Sequence, residues 1–142
     1  MSSRQSKQFR PEENGCNYPT SAKNMTEPSV WIKLGPLDES ACDFSVYAKD
    51  IGLYRGLKNG DIVYIGKATE LNNGGFRKRL RDYSRSSDSA RNYPAGRLMH
   101  EHRASIDIEI LIYERSDLSI PRIADDEHKL IELHQPKWNF LT

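Results

Sequence analysis

Cysteine is scarce in this sequence: Cys16 and Cys42 are the only two among 142 residues. Their separation matches no metal-binding spacing, which argues against a zinc site built on thiolates. No secretory leader is evident, and no apolar run reaches the length that spans a bilayer. We therefore expect a cytoplasmic protein with free thiols and no membrane partner. Internal repeats and low-complexity blocks are also missing.

A strong net charge is missing as well, since the chain carries only +1. The distribution of charge is more informative. From Tyr64 to Ala104 there are nine Lys and Arg against four acids, and from Ser105 to Thr142 there are eight acids against four bases. A basic middle and an acidic end are compatible with a phosphate-facing surface beside a metal-binding or core-supporting end. Solvated charged helices explain the same pattern equally well.

The length allows one domain with a modest core. The first 28 residues are polar and show no periodic apolar pattern, which is typical of a disordered or loosely draped segment. Val30–Leu34 is either a short strand or an apolar strap that packs on the domain. We predict an N-terminal arm over residues 1–44, partly disordered, and a folded domain over residues 45–142.

From residue 51 onwards the pattern predicts the element order β-β-α-α-β-α. The predicted segments are, in order, IGLYRGL and DIVYIG as hairpin strands, FRKRLRDYSR and AGRLMHEHR as helices, IDIEILIYE as a strand and IPRIADDEHKLIELHQ as a helix. The final PKWNFLT reads as an extended tail. The expected fold is α/β (α+β), a small three-stranded antiparallel sheet flanked by helices.

The hairpin places two tyrosines, Tyr54 and Tyr64, among several glycines. A two-residue Asn-Gly loop would set the tyrosines on opposite faces, whereas a three-residue Lys-Asn-Gly loop pairs them directly. The three-residue loop sorts the apolar residues onto one face, so we favour it. The glycines then leave the tyrosine side open, which indicates room for a bulky ligand. Two half-buried tyrosines that pack across the strands are the alternative.

These residues resemble the signature of the GIY-YIG nucleases. GLY (Gly52–Tyr54), nine residues and then YIG (Tyr64–Gly66) fit it, with Leu53 in place of the usual Ile. The following FRKRL helix and the closing EHKLIELHQPKWN are similar to the family's arginine helix and to its Glu, Leu-Ile, Pro and Asn pattern. The resemblance covers Ser45–Phe140. It implies the GIY-YIG nuclease fold and a metal-dependent DNA endonuclease that uses one divalent cation, Mg2+ or Mn2+.

The resemblance implies five catalytic positions: Tyr54, Tyr64, Arg79, Glu127 and Asn139. We assign Tyr54 as the general base, Tyr64 to orient water or phosphate, and Arg79 to stabilise negative charge. Glu127 is the expected metal ligand, and Asn139 is expected to support the site by hydrogen bonding. A helical projection agrees, because Arg79 borders the buried stripe of its helix and Glu127 lies within an apolar face.

Four basic residues, Lys67, Arg77, Lys78 and Arg81, are expected to bind the DNA backbone. The stretch from Thr69 to Gly75 is longer than the usual connection in this family, and we expect it to be flexible and able to touch DNA.

Several alternatives stay open for single residues. Glu127 could instead be a buried carboxylate paired with Arg79. His134 is interpreted as a satisfied histidine at a helix end. His100 and His102 are interpreted as surface residues or, at most, as phosphate contacts.

The resemblance leaves the biological role open. A compact restriction-type or phage or mobile-element nuclease is the favoured interpretation, in a bacterial or phage-infected cell. A non-catalytic or structure-selective nucleic-acid-binding or repair module on the same scaffold is the alternative, and a structural protein with a coincidental hairpin is a third. The expected partner is DNA, and cutting of both strands is compatible with a homodimer.

Overall fold

The computed structural model describes residues 30–72, 74–85 and 92–141, so most of the predicted arm lies outside the described residues. The elements run in the order β1 (Ile32–Pro36), a 3-10 helix (Ser45–Tyr47), β2 (Ile51–Lys58), β3 (Asp61–Ala68), α1 (Gly75–Ser84), α2 (Pro94–Glu101), β4 (Asp107–Tyr113), α3 (Ser119–His134) and a second 3-10 helix (Lys137–Phe140). Within these ranges, no helix has the length and apolar character needed to cross a membrane.

The sheet is antiparallel and has four strands in the order β1-β4-β2-β3. The mixed α and β class is as predicted, but the count of three strands is wrong. The fourth strand is β1, which pairs with β4 through a register shift between Lys33 and Gly35. A strand of five residues with an irregularity leaves little alternating pattern in the sequence. The predicted extended tail is also wrong, since it contains the second 3-10 helix.

The β2–β3 hairpin closes with a two-residue turn, not with the three-residue loop that we predicted. Lys58 pairs with Asp61 across the turn. Asn59 and Gly60 have φ values of 55° and 86°, in the left-handed region that a type I′ turn requires. Asn-Gly is the preferred dipeptide for this turn because both residues tolerate positive φ.

A β-bulge follows the turn at Val63. Leu57 pairs with Ile62, but the next pair towards the base of the hairpin is Gly56 with Tyr64, so Val63 is the extra residue in β3. One extra residue in a strand moves every side chain beyond it to the opposite face of the sheet. The shorter turn by itself would also change the face that each side chain takes. The bulge therefore cancels the effect of the turn.

The direct pairing predicted between the two tyrosines is wrong. Tyr54 lies opposite Gly66, and Tyr64 lies opposite Gly56. Both tyrosines still lie on one face, as predicted, because the turn and the bulge compensate each other. They are diagonal neighbours, and their ring centroids are 6.3 Å apart.

Two hydrophobic clusters cover the opposite faces of the sheet. The tyrosine face carries Tyr54 and packs against α1 and α2, whereas the α3 face carries Leu53 and packs against α3. Full burial of one aliphatic side chain contributes about 1.5–3 kcal/mol to stability. The fully buried side chains of the two faces include Phe76, Leu80, Met99, Ile108 and Ile110 on the tyrosine face, and Ile51, Leu53 and Ile123 on the α3 face.

The described part of the predicted arm, residues 30–44, packs with the domain. Leu34, Leu37 and Phe44 are buried in the cluster of the tyrosine face. Cys42 is buried there too and is disulfide-bonded, so the prediction of a free thiol at this residue is wrong. Disulfides are rare in cytosolic proteins, and the bond removes the support that free thiols gave to a cytoplasmic location.

Each tryptophan stacks on a nitrogen-bearing side chain, one on either face. On the α3 face, the Arg55 guanidinium lies 4.0 Å from the centroid of the Trp31 ring, and its Nε donates to Glu109 Oε1 at 2.8 Å. On the tyrosine face, the rings of Trp138 and His102 stack with centroids 5.4 Å apart.

Candidate active site

Three tyrosines form a cluster on the tyrosine face. Tyr54 comes from β2, Tyr64 from β3 and Tyr83 from α1, and their ring centroids are 6.1–6.4 Å apart in every pair. The hydroxyls of Tyr54 and Tyr83 share a hydrogen bond of 2.8 Å. We predicted Tyr83 only as part of the apolar stripe of its helix. Its place one turn after Arg79 was the available signal for a polar role.

Glycines make room for this cluster and not for a separate ligand. A Cβ atom at Gly66 would collide with the ring and hydroxyl of Tyr54. A Cβ at Gly56 would press on Ile106 and Met99. The space over these glycines is thus filled by the protein's own side chains, and the prediction of an open face for a bulky ligand is wrong.

Two phenols of this cluster, those of Tyr54 and Tyr64, are held in the protonated form. Burial raises the pKa of Tyr54 well above its usual value, Tyr83 and Tyr64 raise it further, and Arg79 lowers it only in part. Burial also raises the pKa of Tyr64, with contributions in the same direction from Tyr83 and Glu127. At neutral pH these hydroxyls are therefore suited to donate hydrogen bonds. The raised pKa of Tyr54 does not favour the general-base role expected from the sequence.

Arg79 lies beside the cluster on α1, and its side chain is partly exposed. Its Nη2 lies 3.5 Å from Glu70 Oε2. The alternative that paired Arg79 with Glu127 is therefore wrong, since Glu70 takes that place. Lys78, on the same helix, lies 3.6 Å from Glu70 and 3.5 Å from Asp82.

Arg77 and Arg81, the other predicted DNA contacts on α1, are partly exposed. The described structure places both on the helix that carries Arg79. They stay predictions as contacts for the DNA backbone.

Glu127 projects from α3 towards the edge strand β3. Its Oε1 lies 3.5 Å from the Nζ of Lys67, and its side chain is only 14% exposed. Lys67 itself is 42% exposed and follows Tyr64 by three residues. Tyr64 lies within electrostatic reach of both Glu127 and Arg79. The structure thus pairs the predicted carboxylate with the predicted lysine, and Glu127 raises the pKa of Tyr64 while Arg79 lowers it.

The donor set fits a cation that is held by one carboxylate. Mg2+ usually keeps several waters and binds one or two carboxylates together with phosphate oxygens of the substrate. Within the described ranges, no group of three His, Cys, Asp or Glu side chains could enclose a metal ion. Glu127 offers a hard oxygen ligand next to solvent. These residues therefore suit an open site completed by water and substrate, not a closed protein cage.

Asn139 acts on the backbone of β3. Its Oδ1 accepts from the Ile65 N–H at 2.9 Å, and its Nδ2 donates to the Ile65 carbonyl at 2.9 Å. The side-chain amide thus replaces one residue of a neighbouring strand along the exposed edge of β3. Because Ile65 follows Tyr64 directly, Asn139 is a positioning residue for the tyrosine.

The histidines have structural contacts. His100 Nδ1 lies 2.8 Å from the backbone carbonyl oxygen of Tyr83, which makes it a support for the tyrosine cluster. His102 stacks on Trp138. His134 is exposed and is the last residue of α3, which agrees with its predicted place at a helix end.

No protein-family model matches this chain, and no curated protein matches it. Among solved structures, the chain is similar to the GIY-YIG N-terminal endonuclease domain of UvrC from Thermotoga maritima, in the crystal structure of a point mutant bound to its catalytic divalent cation. The two are 22% identical, and the TM-score is 0.43 over 64% of this chain and 83% of that chain.

Proposed function

We propose that this protein is a nuclease of the GIY-YIG type, which hydrolyses phosphodiester bonds of DNA with one divalent cation. The observation that carries the proposal is the position of Tyr64 within reach of two opposite charges, Glu127 and Arg79. Phosphodiester hydrolysis needs an oriented water, positive charge on the phosphate and help for the leaving oxygen. A cluster with one phenol, one guanidinium and one carboxylate can supply each of these.

Each side chain has its own role in the proposed reaction. The planar guanidinium of Arg79 can donate two hydrogen bonds to phosphate oxygens and stabilise the charge that develops there. Lys67 adds a second positive charge. Tyr64, which is partly exposed, orients the attacking water, while the buried Tyr54 donates a hydrogen bond or holds Tyr83 in place. A Mg2+ or Mn2+ ion bound to Glu127 would polarise the phosphate and stabilise the leaving oxygen.

The substrate class that we propose is DNA, cut by an enzyme of the restriction type or of the phage or mobile-element type. Lys67, Arg77, Lys78 and Arg81 supply backbone affinity that does not depend on sequence. Such affinity falls with rising salt, because each phosphate contact releases condensed counterions.

The test is cleavage of supercoiled plasmid DNA in Mg2+, Mn2+ or EDTA. We expect nicking or linearisation that needs the cation, with discrete fragments for a restriction-type enzyme. Glu127→Gln and Tyr64→Phe should each lower the rate by about 100-fold or more, since one removes the metal ligand and the other the water-orienting hydroxyl.

Two matched variants serve as controls. Glu132→Gln removes an exposed carboxylate from the same helix as Glu127, and Tyr113→Phe removes a hydroxyl from the opposite face of the sheet. Both should keep the wild-type rate. Full cation-dependent cleavage by Glu127→Gln would contradict the proposal. Salt-sensitive DNA binding without any cleavage would instead favour the non-catalytic nucleic-acid-binding module.

A further inference from the structure

Glu70 lies in the loop between β3 and α1, in the stretch that is longer than the usual family connection. Two contacts hold the loop at this residue and at the next one. The backbone carbonyl of Glu70 accepts a hydrogen bond of 3.2 Å from the Gly75 N–H. Leu71 packs against the cluster of the α3 face. These contacts hold the loop backbone at Glu70, beside the first turn of α1. The flexibility expected for the stretch from Thr69 to Gly75 stays a prediction.

This carboxylate bridges two cations of the candidate site. Its Oε1 lies 3.6 Å from Lys78 Nζ, and its Oε2 lies 3.5 Å from Arg79 Nη2. The three side chains are between 32% and 41% exposed. Ion pairs with this exposure and these distances are weak, and a better anion can replace the carboxylate.

A phosphate carries the same kind of oxygens as a carboxylate, and Arg and Lys bind both. We propose that Glu70 is a displaceable counter-ion: it occupies the place of a backbone phosphate between Arg79 and Lys78 in the free protein, and DNA must remove it before Arg79 can bind. This inference rests on the proposed function of the same site. Glu70 therefore lowers the affinity for nucleic acid and restrains the site until several phosphates of one strand are engaged.

The experiment measures DNA affinity without cleavage. A short fluorescein-labelled duplex is titrated with protein in EDTA at fixed salt, and fluorescence anisotropy gives Kd. Glu70→Gln should lower Kd by about three- to fivefold, because the phosphate no longer competes with an ion pair. Glu101→Gln, which removes an exposed carboxylate from α2, is the matched control and should change Kd less than half as much.

A double-mutant cycle separates competition from bulk charge. The gain from Glu70→Gln should shrink in the Arg79→Gln background, where only the ion pair with Lys78 is left. An equal gain in both backgrounds would overturn the proposal, since Glu70 would then act only as one more negative charge. Weaker binding by Glu70→Gln would also overturn it, because Glu70 would then hold Arg79 in its productive position.

Plasmid nicking in Mg2+ is measured in parallel, so that the two proposals can fail separately. Nicking by the wild type together with an unchanged Kd for Glu70→Gln overturns the counter-ion role and leaves the nuclease function intact. The expected Kd changes without nicking support the counter-ion role on a protein that binds DNA but does not cut it. Absence of DNA binding by every variant overturns both.

Discussion

Gly66 has no side chain, and this leaves the volume in which the Tyr54 ring lies. The ring and its hydroxyl occupy the volume that any Cβ would need. The sequence shows glycines close to the tyrosines, but it does not show whether the free volume receives a ligand or a neighbouring ring. The tyrosine fills it here, so this glycine and the buried phenol are parts of one packing arrangement.

Lys67 and a divalent cation would compete for the same oxygen of Glu127. The lysine ammonium lies 3.5 Å from Oε1. Lys67→Gln should therefore tighten Mn2+ binding by about three- to tenfold at low salt, because it removes a positive charge close to the cation. Electron paramagnetic resonance of free Mn2+, in the absence of DNA, measures this affinity.

The matched control for this change is Lys129→Gln. Lys129 forms an ion pair of 3.2 Å with Asp125 on α3, two residues from Glu127 along the chain. It is exposed, and its removal should alter Mn2+ affinity less than Lys67→Gln does, since screening weakens distant charges. Weaker Mn2+ binding by Lys67→Gln would show instead that the lysine holds the carboxylate in place.

At the scale of the elements, the edge of β3 depends on one side-chain amide. Asn139→Leu should leave the N–H and carbonyl of Ile65 without their partners, at a cost of about 1–3 kcal/mol. Amide hydrogen exchange at Ile65 should become faster, whereas amides of the central strand β4 keep their protection. Unchanged exchange at Ile65 would show that water or a neighbouring segment replaces the amide without loss.

The helices were more predictable than the strands. The stripes of α1 and α3 follow the 3.6-residue period, and burial of Phe76, Leu80 and Ile123 confirms the predicted faces. The face of the sheet on which the two hairpin tyrosines lie was predictable, but the register of the hairpin was not. A bulge at Val63 adds one residue without any change in composition, and side-chain alternation alone does not reveal it.

The family resemblance named positions for the candidate site, and their roles stay predictions. The long-range contacts of these positions could not be predicted from the sequence. Glu70 and Lys67 show this. Each forms an ion pair with a residue on a different element, and such pairs depend on how the loop and helices dock. The hydrogen bond between Tyr54 and Tyr83 joins residues 29 positions apart for the same reason.

For the whole molecule, buried phenols make the folded protein less stable at high pH. Burial foremost raises the pKa of Tyr54, Tyr64 and Tyr113, the last also through its hydrogen bond to Asp126. Above about pH 10 the unfolded chain loses these protons while the folded protein keeps them, so the free energy of unfolding falls as the pH rises. The expected slope is up to about 1.4 kcal/mol per pH unit for each tyrosine.

Urea unfolding at a series of alkaline pH values measures this loss. Tyr113→Phe should reduce the slope, because it removes one of the three groups. Tyr93→Phe changes an exposed tyrosine and should leave the slope as it is in the wild type. The same slope for wild type and Tyr113→Phe would show that this phenol contributes nothing to the alkaline loss.

The two tryptophans give the protein one natural fluorescent reporter on each side of its sheet. Trp138 belongs to the core of the tyrosine face, and Trp31 packs on the α3 face. Single-tryptophan variants would therefore record the melting of each side separately. Coincident transitions would identify one cooperative unit. An earlier signal from Trp31 would mean that the start of the described chain, next to β1, opens first, while the tyrosine face keeps its shape.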